Sequence, residues 1–182
     1  MGKLVESTHV SLGGEIGSPQ SWGAPYMNEE HLDYANKLLF GADVLLLGRR
    51  TYEGLAAGYT AMDRNAFVDR MNSIPKYVAS KSLERAGWNA TVIQGDLATF
   101  VRDLKDRAGK NILKYGTGPL DATLIEHNLV DEFHIWLTPV AVGRGQHLFD
   151  DVRGAPQFEL SDMTRFTNGV VVLVYTPKSA SA

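Results

Sequence analysis

The sequence predicts an α/β fold: a mostly parallel central sheet flanked by helices, with an antiparallel hairpin at the C-terminus. Three observations carry this. Short apolar strand candidates alternate with amphipathic helical segments through the first two-thirds of the chain, the pattern of a parallel sheet with crossover helices. Val44-Leu45-Leu46-Leu47 is an unbroken apolar run lying between glycines, as expected of a strand buried on both faces. Finally, Phe158–Met163 and Val170–Tyr175 read as two strands joined near Asn168-Gly169, a hairpin signal.

Taken in order, Leu4–Leu12 is the first strand, ending at Gly13-Gly14. The Gly-, Pro- and Ser-rich stretch EIGSPQSWGAPY reads as a loop. Asn28 caps a helix over Glu29–Phe40, with Leu32, Ala35 and Leu39 on one face and Gly41 as the stop. The strand 44–47 ends at Gly48 and runs directly into a short helix, RRTYEGLAAG. A helix over Ala66–Asn72 precedes Pro75, then Lys76–Ala79 forms a strand that leaves through the turn Ser80-Lys81-Ser82. Ala90–Ile93 is a further short strand. Asp96 caps a helix whose Leu97, Phe100, Val101 and Leu104 share a face, closed by Gly109. Ile112–Tyr115 is a strand, Gly116-Thr117-Gly118-Pro119 a turn, and Leu120–His127 the helix that follows. Asp131–Pro139 alternates partially and reads as a strand before the hairpin.

The length of 182 residues suits a single domain, taken as 1–176 with 177–182 as a flexible tail. Hydrophobic residues at 44% and charged ones at 21% are ordinary globular proportions. A formal charge of −3 with no basic stripe argues against a nucleic-acid partner. The chain has no cysteine, which excludes disulfides, thiolate metal sites and cysteine nucleophiles. No apolar run approaches the roughly 20 residues of a membrane span, and no signal peptide is evident. The expectation is a cytoplasmic protein acting on a small-molecule substrate, with no membrane partner. His9, His31, His127, His134 and His147 are widely spaced, without HxxxH or HExxH, so no metal site is expected. Trp22, Tyr26 and Trp136 either line a planar ligand or pack in core and loop.

Chemistry concentrates at strand ends. In LLLGRRTYEG, Gly48, Arg49, Arg50 and Thr51 place cations and open backbone N–H groups at a helix start, a natural phosphate site. The alternative is that both arginines are solvated and Gly48 merely turns the chain. In ILKYGTGPLDATL the glycines again precede a helix, with Pro119 suited to its first turn. This is neither GxGxxG nor a Walker A loop, and an ordinary strand-to-helix turn is the competing reading. Ser80 and Lys81 offer a hydroxyl and a cation at the same edge. Parallel strands bring such ends to one side, where ligands bind, so three phosphate-friendly turns point to a ligand with more than one phosphate, such as a dinucleotide.

These turns, in this order, resemble the dihydrofolate reductase superfamily, and within it the reductase domain of bacterial riboflavin biosynthesis. LLLGRRTYEG resembles the family's G-R-x-T-[YW] turn. SLGGEIG resembles its S-x-D-G-x-I stretch, and ILKYGTGPLDATLIEHNLVDEFHIWLTPVAVGRGQHLF resembles its glycine turn, L-V-D-E, P-V and G-x-G-x-x-L-F block. The similarity covers about residues 4–176.

The resemblance implies a dihydrofolate reductase-like fold and an NADPH-dependent reductase that transfers a hydride to a C=N or C=O carbon. By the same resemblance Gly48, Arg49, Arg50, Thr51, Ser80 and Lys81 hold the adenosine phosphates. Gly116, Thr117, Gly118, Pro119 and Leu120 support the pyrophosphate and nicotinamide side. Two departures stand out. Gly13 takes the place of the family's aspartate, so a substrate contact by that acid is lost, and Thr117 replaces a central glycine. Folate reductases use a carboxylate on the first helix, for which Glu30 and Asp33 are the candidates here. A homodimer through the C-terminal strands is also implied. The function implied resembles that of an aminouracil-phosphoribosyl reductase, with a pterin reductase as the enzyme alternative and a non-catalytic nucleotide-binding protein as the rival of another class.

Overall fold

In a computed structural model that describes residues 1–178, eight strands form one sheet. In chain order the elements are β1 (Leu4–Val10), α1 (Pro19–Gly23), a 3-10 turn (Ala24–Tyr26), α2 (Glu29–Phe40), β2 (Ala42–Gly48), α3 (Arg49–Ala61), α4 (Ala66–Ser73), β3 (Lys76–Ala79), β4 (Ala90–Val92), α5 (Leu97–Arg107), β5 (Asn111–Tyr115), α6 (Pro119–Glu126), β6 (Glu132–Leu137), β7 (Phe158–Arg165) and β8 (Val171–Pro177). The sheet order is β4-β3-β2-β5-β1-β6-β8-β7. The first six strands in this order run parallel; β8 and β7 complete the sheet antiparallel.

Successive strand residues face opposite sides, so the sheet has two cores. Leu4, Val44, Leu46, Ile112 and Phe133 pack with Val101 and Leu104 of α5 and Leu124 of α6. Val5, Leu45, Leu47, Leu113 and Val78 pack with Leu39 of α2, Tyr52 of α3 and Met71 of α4. Leu45, Leu46 and Leu47 are all fully buried, each stabilising the fold by about 2 kcal/mol. The double-sided burial read from the apolar run is therefore observed.

Several boundaries differ from expectation. β1 stops at Val10 because Ser11 turns the chain: its N–H donates to Glu15 O at 3.0 Å. The stretch read as a loop contains α1, with Pro19 at its start. The helix after Gly48 extends to Ala61 rather than remaining short. On α2, Leu32 is 53% exposed while His31 is buried. The helix turns His31 and Tyr34 inward because their rings pack on Trp136, at 4.6 and 5.0 Å between centroids. Asn28 caps α2 as predicted, accepting from the His31 N–H at 3.0 Å. At the other end, Pro177 closes β8 and the Lys178 N–H donates to Gln157 O at 2.9 Å. Residues 179–182 lie outside the described residues. Among the described residues no helix is long and apolar enough to cross a membrane.

Candidate functional site

Because β3, β2, β5, β1 and β6 run parallel, their C-terminal ends open on one edge, and the three turns singled out in the sequence meet there. Arg49 Nη1 donates to Ser82 Oγ at 2.7 Å, joining the turn after β2 to the turn after β3. Gly116, with φ +72°, approaches so closely that a Cβ on it would lie 3.3 Å from Thr51 Oγ1. That contact joins the turn after β5 to the same group.

The start of α3 is uncapped by any side chain, which leaves its first N–H groups facing the edge. Arg49 is partly committed, pairing with Glu53 at 2.7 Å. Arg50 and Lys81 are exposed and make no hydrogen bond or ion pair among the described residues. The Ser80 hydroxyl accepts from the Leu83 N–H at 3.0 Å and so holds its own turn.

Behind the glycine turn lies a buried ionic group that sequence reading missed. Lys114, Asp121 and Glu6 are each 1% exposed. Lys114 Nζ stands 2.7 and 2.9 Å from the two Asp121 oxygens and 3.5 Å from Glu6, and it donates to the Gly116 carbonyl. Asp121 in turn accepts from the Gly118 N–H at 2.7 Å. Burial pushes the Glu6 carboxyl well above the usual carboxylate range, only partly offset by Lys114. Burial also opposes the charge on Lys114, but Glu6 and Asp121 outweigh it and raise its pKa. The Thr117 hydroxyl is buried without a partner among the described residues and packs beside Gly118, Gln146 and His147.

On the β1 side, the carboxylate of Glu15 lies against Gly13. A Cβ on Gly13 would lie 2.5 and 2.7 Å from the Glu15 carboxylate oxygens. The Glu15 side chain thus fills the space that a larger residue at 13 would take. It is 4% exposed and accepts from the Ser11 hydroxyl, which holds its pKa below the ordinary value. His147 Nε2 stands 3.7 Å away.

His9 and His31, far apart in sequence, stack between β1 and α2 with centroids 5.1 Å apart and planes within 10°. Burial, with His31 nearby, holds the His9 ring neutral, its pKa lowered to about 3; burial also lowers that of His31. Trp136 is 1% exposed and belongs to the core. Trp22 is half-buried, its indole N–H donating to Gly17 O at 2.9 Å, and Tyr26 OH donates to Pro139 O at 3.2 Å.

Of the two helix acids read as catalytic candidates, Glu30 is tied to the C-terminal hairpin and Asp33 is exposed. The Glu30 carboxylate accepts from the Thr167 N–H at 2.7 Å, tying α2 to the β7–β8 turn. The Thr167 hydroxyl also donates to it and lowers its pKa. Asp33 is exposed. The residue of this turn that faces β1 is His31. A signal for the buried group existed in the sequence: Glu6 in LVEST and Lys114 in ILKY are charges inside apolar strands, which are almost never buried unless paired.

The family model described as the RibD C-terminal domain matches residues 3–172. The uncharacterized protein YyaP of Bacillus subtilis (strain 168) is 30% identical over 148 residues, covering 79% of this chain and 76% of that protein. A putative riboflavin biosynthesis protein from Shewanella sp. PV-4 superposes with a TM-score of 0.78 at 21% identity, covering 97% of this chain and 99% of that one. Dihydrofolate reductase from Enterococcus faecalis, in complex with NADP(H), superposes with a TM-score of 0.65 at 14% identity, covering 97% of both chains. At these identities the two structures show the shared fold.

Proposed function

The chain belongs to the RibD C-terminal domain family, and from that premise we propose that it is an NADPH-dependent oxidoreductase delivering a hydride to a C=N or C=O carbon of a small molecule. The observation that carries this reading is the meeting of three turns at one sheet edge, through Arg49–Ser82 and Thr51–Gly116. A ligand with phosphates at two separated points fits such a rim.

The residues present suit the cofactor. The α3 start, Gly48 to Thr51, offers uncapped N–H groups and Arg50, which is unpaired among the described residues; with Lys81 from the next turn it would hold the adenosine phosphates, a 2′-phosphate among them. Ser80 shapes that turn. Gly116, Thr117, Gly118, Pro119 and Leu120 would hold the pyrophosphate and nicotinamide side, where the buried Thr117 hydroxyl has no partner among the described residues. When bound, NADPH supplies the hydride. The protein's own part is position and electrostatics: the glycine turn fixes the approach, and the neutral His9–His31 pair walls the side toward α2. Glu30 is committed to Thr167, so it serves the fold rather than the proton.

The riboflavin-pathway substrate, 5-amino-6-(5-phosphoribosylamino)uracil, is the first acceptor to test. A homodimer through the C-terminal strands is part of the same reading: β7 is an open edge with Leu160 49% and Met163 60% exposed.

The test is NADPH binding by fluorescence titration, followed by NADPH oxidation with that aminouracil and with dihydrofolate. Binding with turnover of the aminouracil supports the reading, and turnover of dihydrofolate alone moves the substrate to pterins. Binding without oxidation of either makes the protein a nucleotide-binding module. Absence of binding refutes the cofactor assignment.

A further inference from the structure

We propose that Lys114 is a positioning residue that orients the Gly116–Thr117 peptide so that the Thr117 N–H and hydroxyl face the ligand. The inference rests on the cofactor reading and deepens it. In a trans peptide the C=O and the following N–H point in opposite directions. Lys114 Nζ, itself buried, donates to the Gly116 carbonyl from the protein side. The N–H of that same peptide, on Thr117, therefore points outward toward the open edge, where it has no partner among the described residues.

The neighbouring groups are all fixed. The Gly116 N–H donates to Ser7 O at 3.0 Å, and the Gly118 N–H donates to Asp121 at 2.7 Å. Among the described residues, only the middle residue of the turn presents an unsatisfied pair, its N–H and its buried Oγ1. Two donors so close together on one residue fit a single acceptor: a phosphate oxygen or a carboxamide carbonyl of the cofactor. The departure from a central glycine thus adds a hydroxyl donor to the turn.

Asp121 has two tasks. It neutralises Lys114 and it pins Gly118, so the cation cannot reorient without loosening the turn. The arrangement around Lys114 is complete on each side: Glu6 from β1, Asp121 from α6 and the Gly116 carbonyl from its own strand end.

The experiment compares the parent chain with Lys114→Met and with Thr117→Val, following NADPH binding by fluorescence and the Thr117 amide signal by NMR. The expected result is a large shift of the Thr117 amide on NADPH addition to the parent, and about tenfold weaker binding in each variant. In turnover, KM for NADPH rises while kcat changes little. Thr117→Val leaves the buried group untouched, so it reads the turn even where Lys114→Met does not fold. Absence of NADPH binding by the parent overturns the cofactor reading and this inference together. Binding that leaves the Thr117 amide unmoved, or that both variants retain at parental strength, overturns this inference alone.

Discussion

A Cβ placed on Gly116 would lie 3.3 Å from Thr51 Oγ1, and Gly116 holds a φ of +72°. One glycine therefore meets two demands: a left-handed turn, and close approach of the β5 turn to the helix after β2. Gly116→Ala is expected to cost about 1 kcal/mol from backbone strain alone. It also displaces Thr51 by a few tenths of an ångström. Calorimetry should show a lower midpoint and titration a weaker hold on NADPH; undiminished affinity would mean that the contact between the turns is incidental.

Arg50 stands exposed beside the uncapped start of α3 and makes no hydrogen bond or ion pair among the described residues. Arg50→Ala should weaken NADPH binding about tenfold, the size of one charge-assisted hydrogen bond, with little change in thermal midpoint. Because Arg50 would face the phosphates, NADH should lose less than NADPH. Equal affinity of variant and parent for NADPH would remove Arg50 from the site.

The buried group makes opposite predictions for its members. Lys114→Met strands the Asp121 carboxylate in the interior and should cost about 3 kcal/mol. Glu6→Gln should be nearly neutral at pH 7. The folded-state pKa of Glu6 is raised, so folding takes up a proton once the unfolded carboxyl ionises. Stability from this residue is full below the unfolded value and is lost as pH rises through the folded one. Denaturation followed across acid to neutral pH should therefore show a downward slope that Glu6→Gln flattens; an unchanged slope would mean that Glu6 ionises in the fold without penalty.

Glu30 ties α2 to the β7–β8 turn through Thr167. Its pKa is lowered, chiefly by the Thr167 hydroxyl, so its contribution to stability is present above the unfolded value and is lost as pH falls through the folded one. Glu30→Gln should lower the midpoint at neutral pH and leave kcat within about threefold. A loss of turnover beyond about a hundredfold, the scale of general acid–base catalysis, would restore Glu30 as a catalytic acid.

The edge strand β7 bears exposed Leu160 and Met163, and an open edge invites pairing. If the chain dimerises there, Leu160→Glu combined with Met163→Glu should halve the mass seen in sedimentation equilibrium. A parent already monomeric at high concentration ends the dimer proposal.

Local patterns made much of this molecule legible in advance. The apolar run of β2, the caps Asn28 and Asp96, and the turn at Asn168-Gly169 each depend on neighbours within a few residues, and each stands where the sequence places it. The error on α2 shows where such reading fails. Leu32 fits an apolar face by spacing, yet His31 and Tyr34 turn inward because Trp136, on β6, supplies aromatic surface. Nothing near Leu32 in sequence announces that partner. Likewise, the Glu15 carboxylate lies where a side chain at position 13 would stand, and only the path of the loop reveals that both positions address one space.

By itself the sequence determined the fold class, the order of its elements and the three glycine- and hydroxyl-bearing turns at strand ends. These follow from periodicity, capping and backbone freedom, which act over short stretches of chain. Only the tertiary structure decided that the turns meet, that His9 stacks on His31, and that Lys114, Asp121 and Glu6 form one buried group behind Gly116. Those pairings bring β1, β5 and α6 together across long stretches of chain. They are set by burial, which forces isolated charges to find partners in the interior, and that requirement acts in space rather than along the sequence.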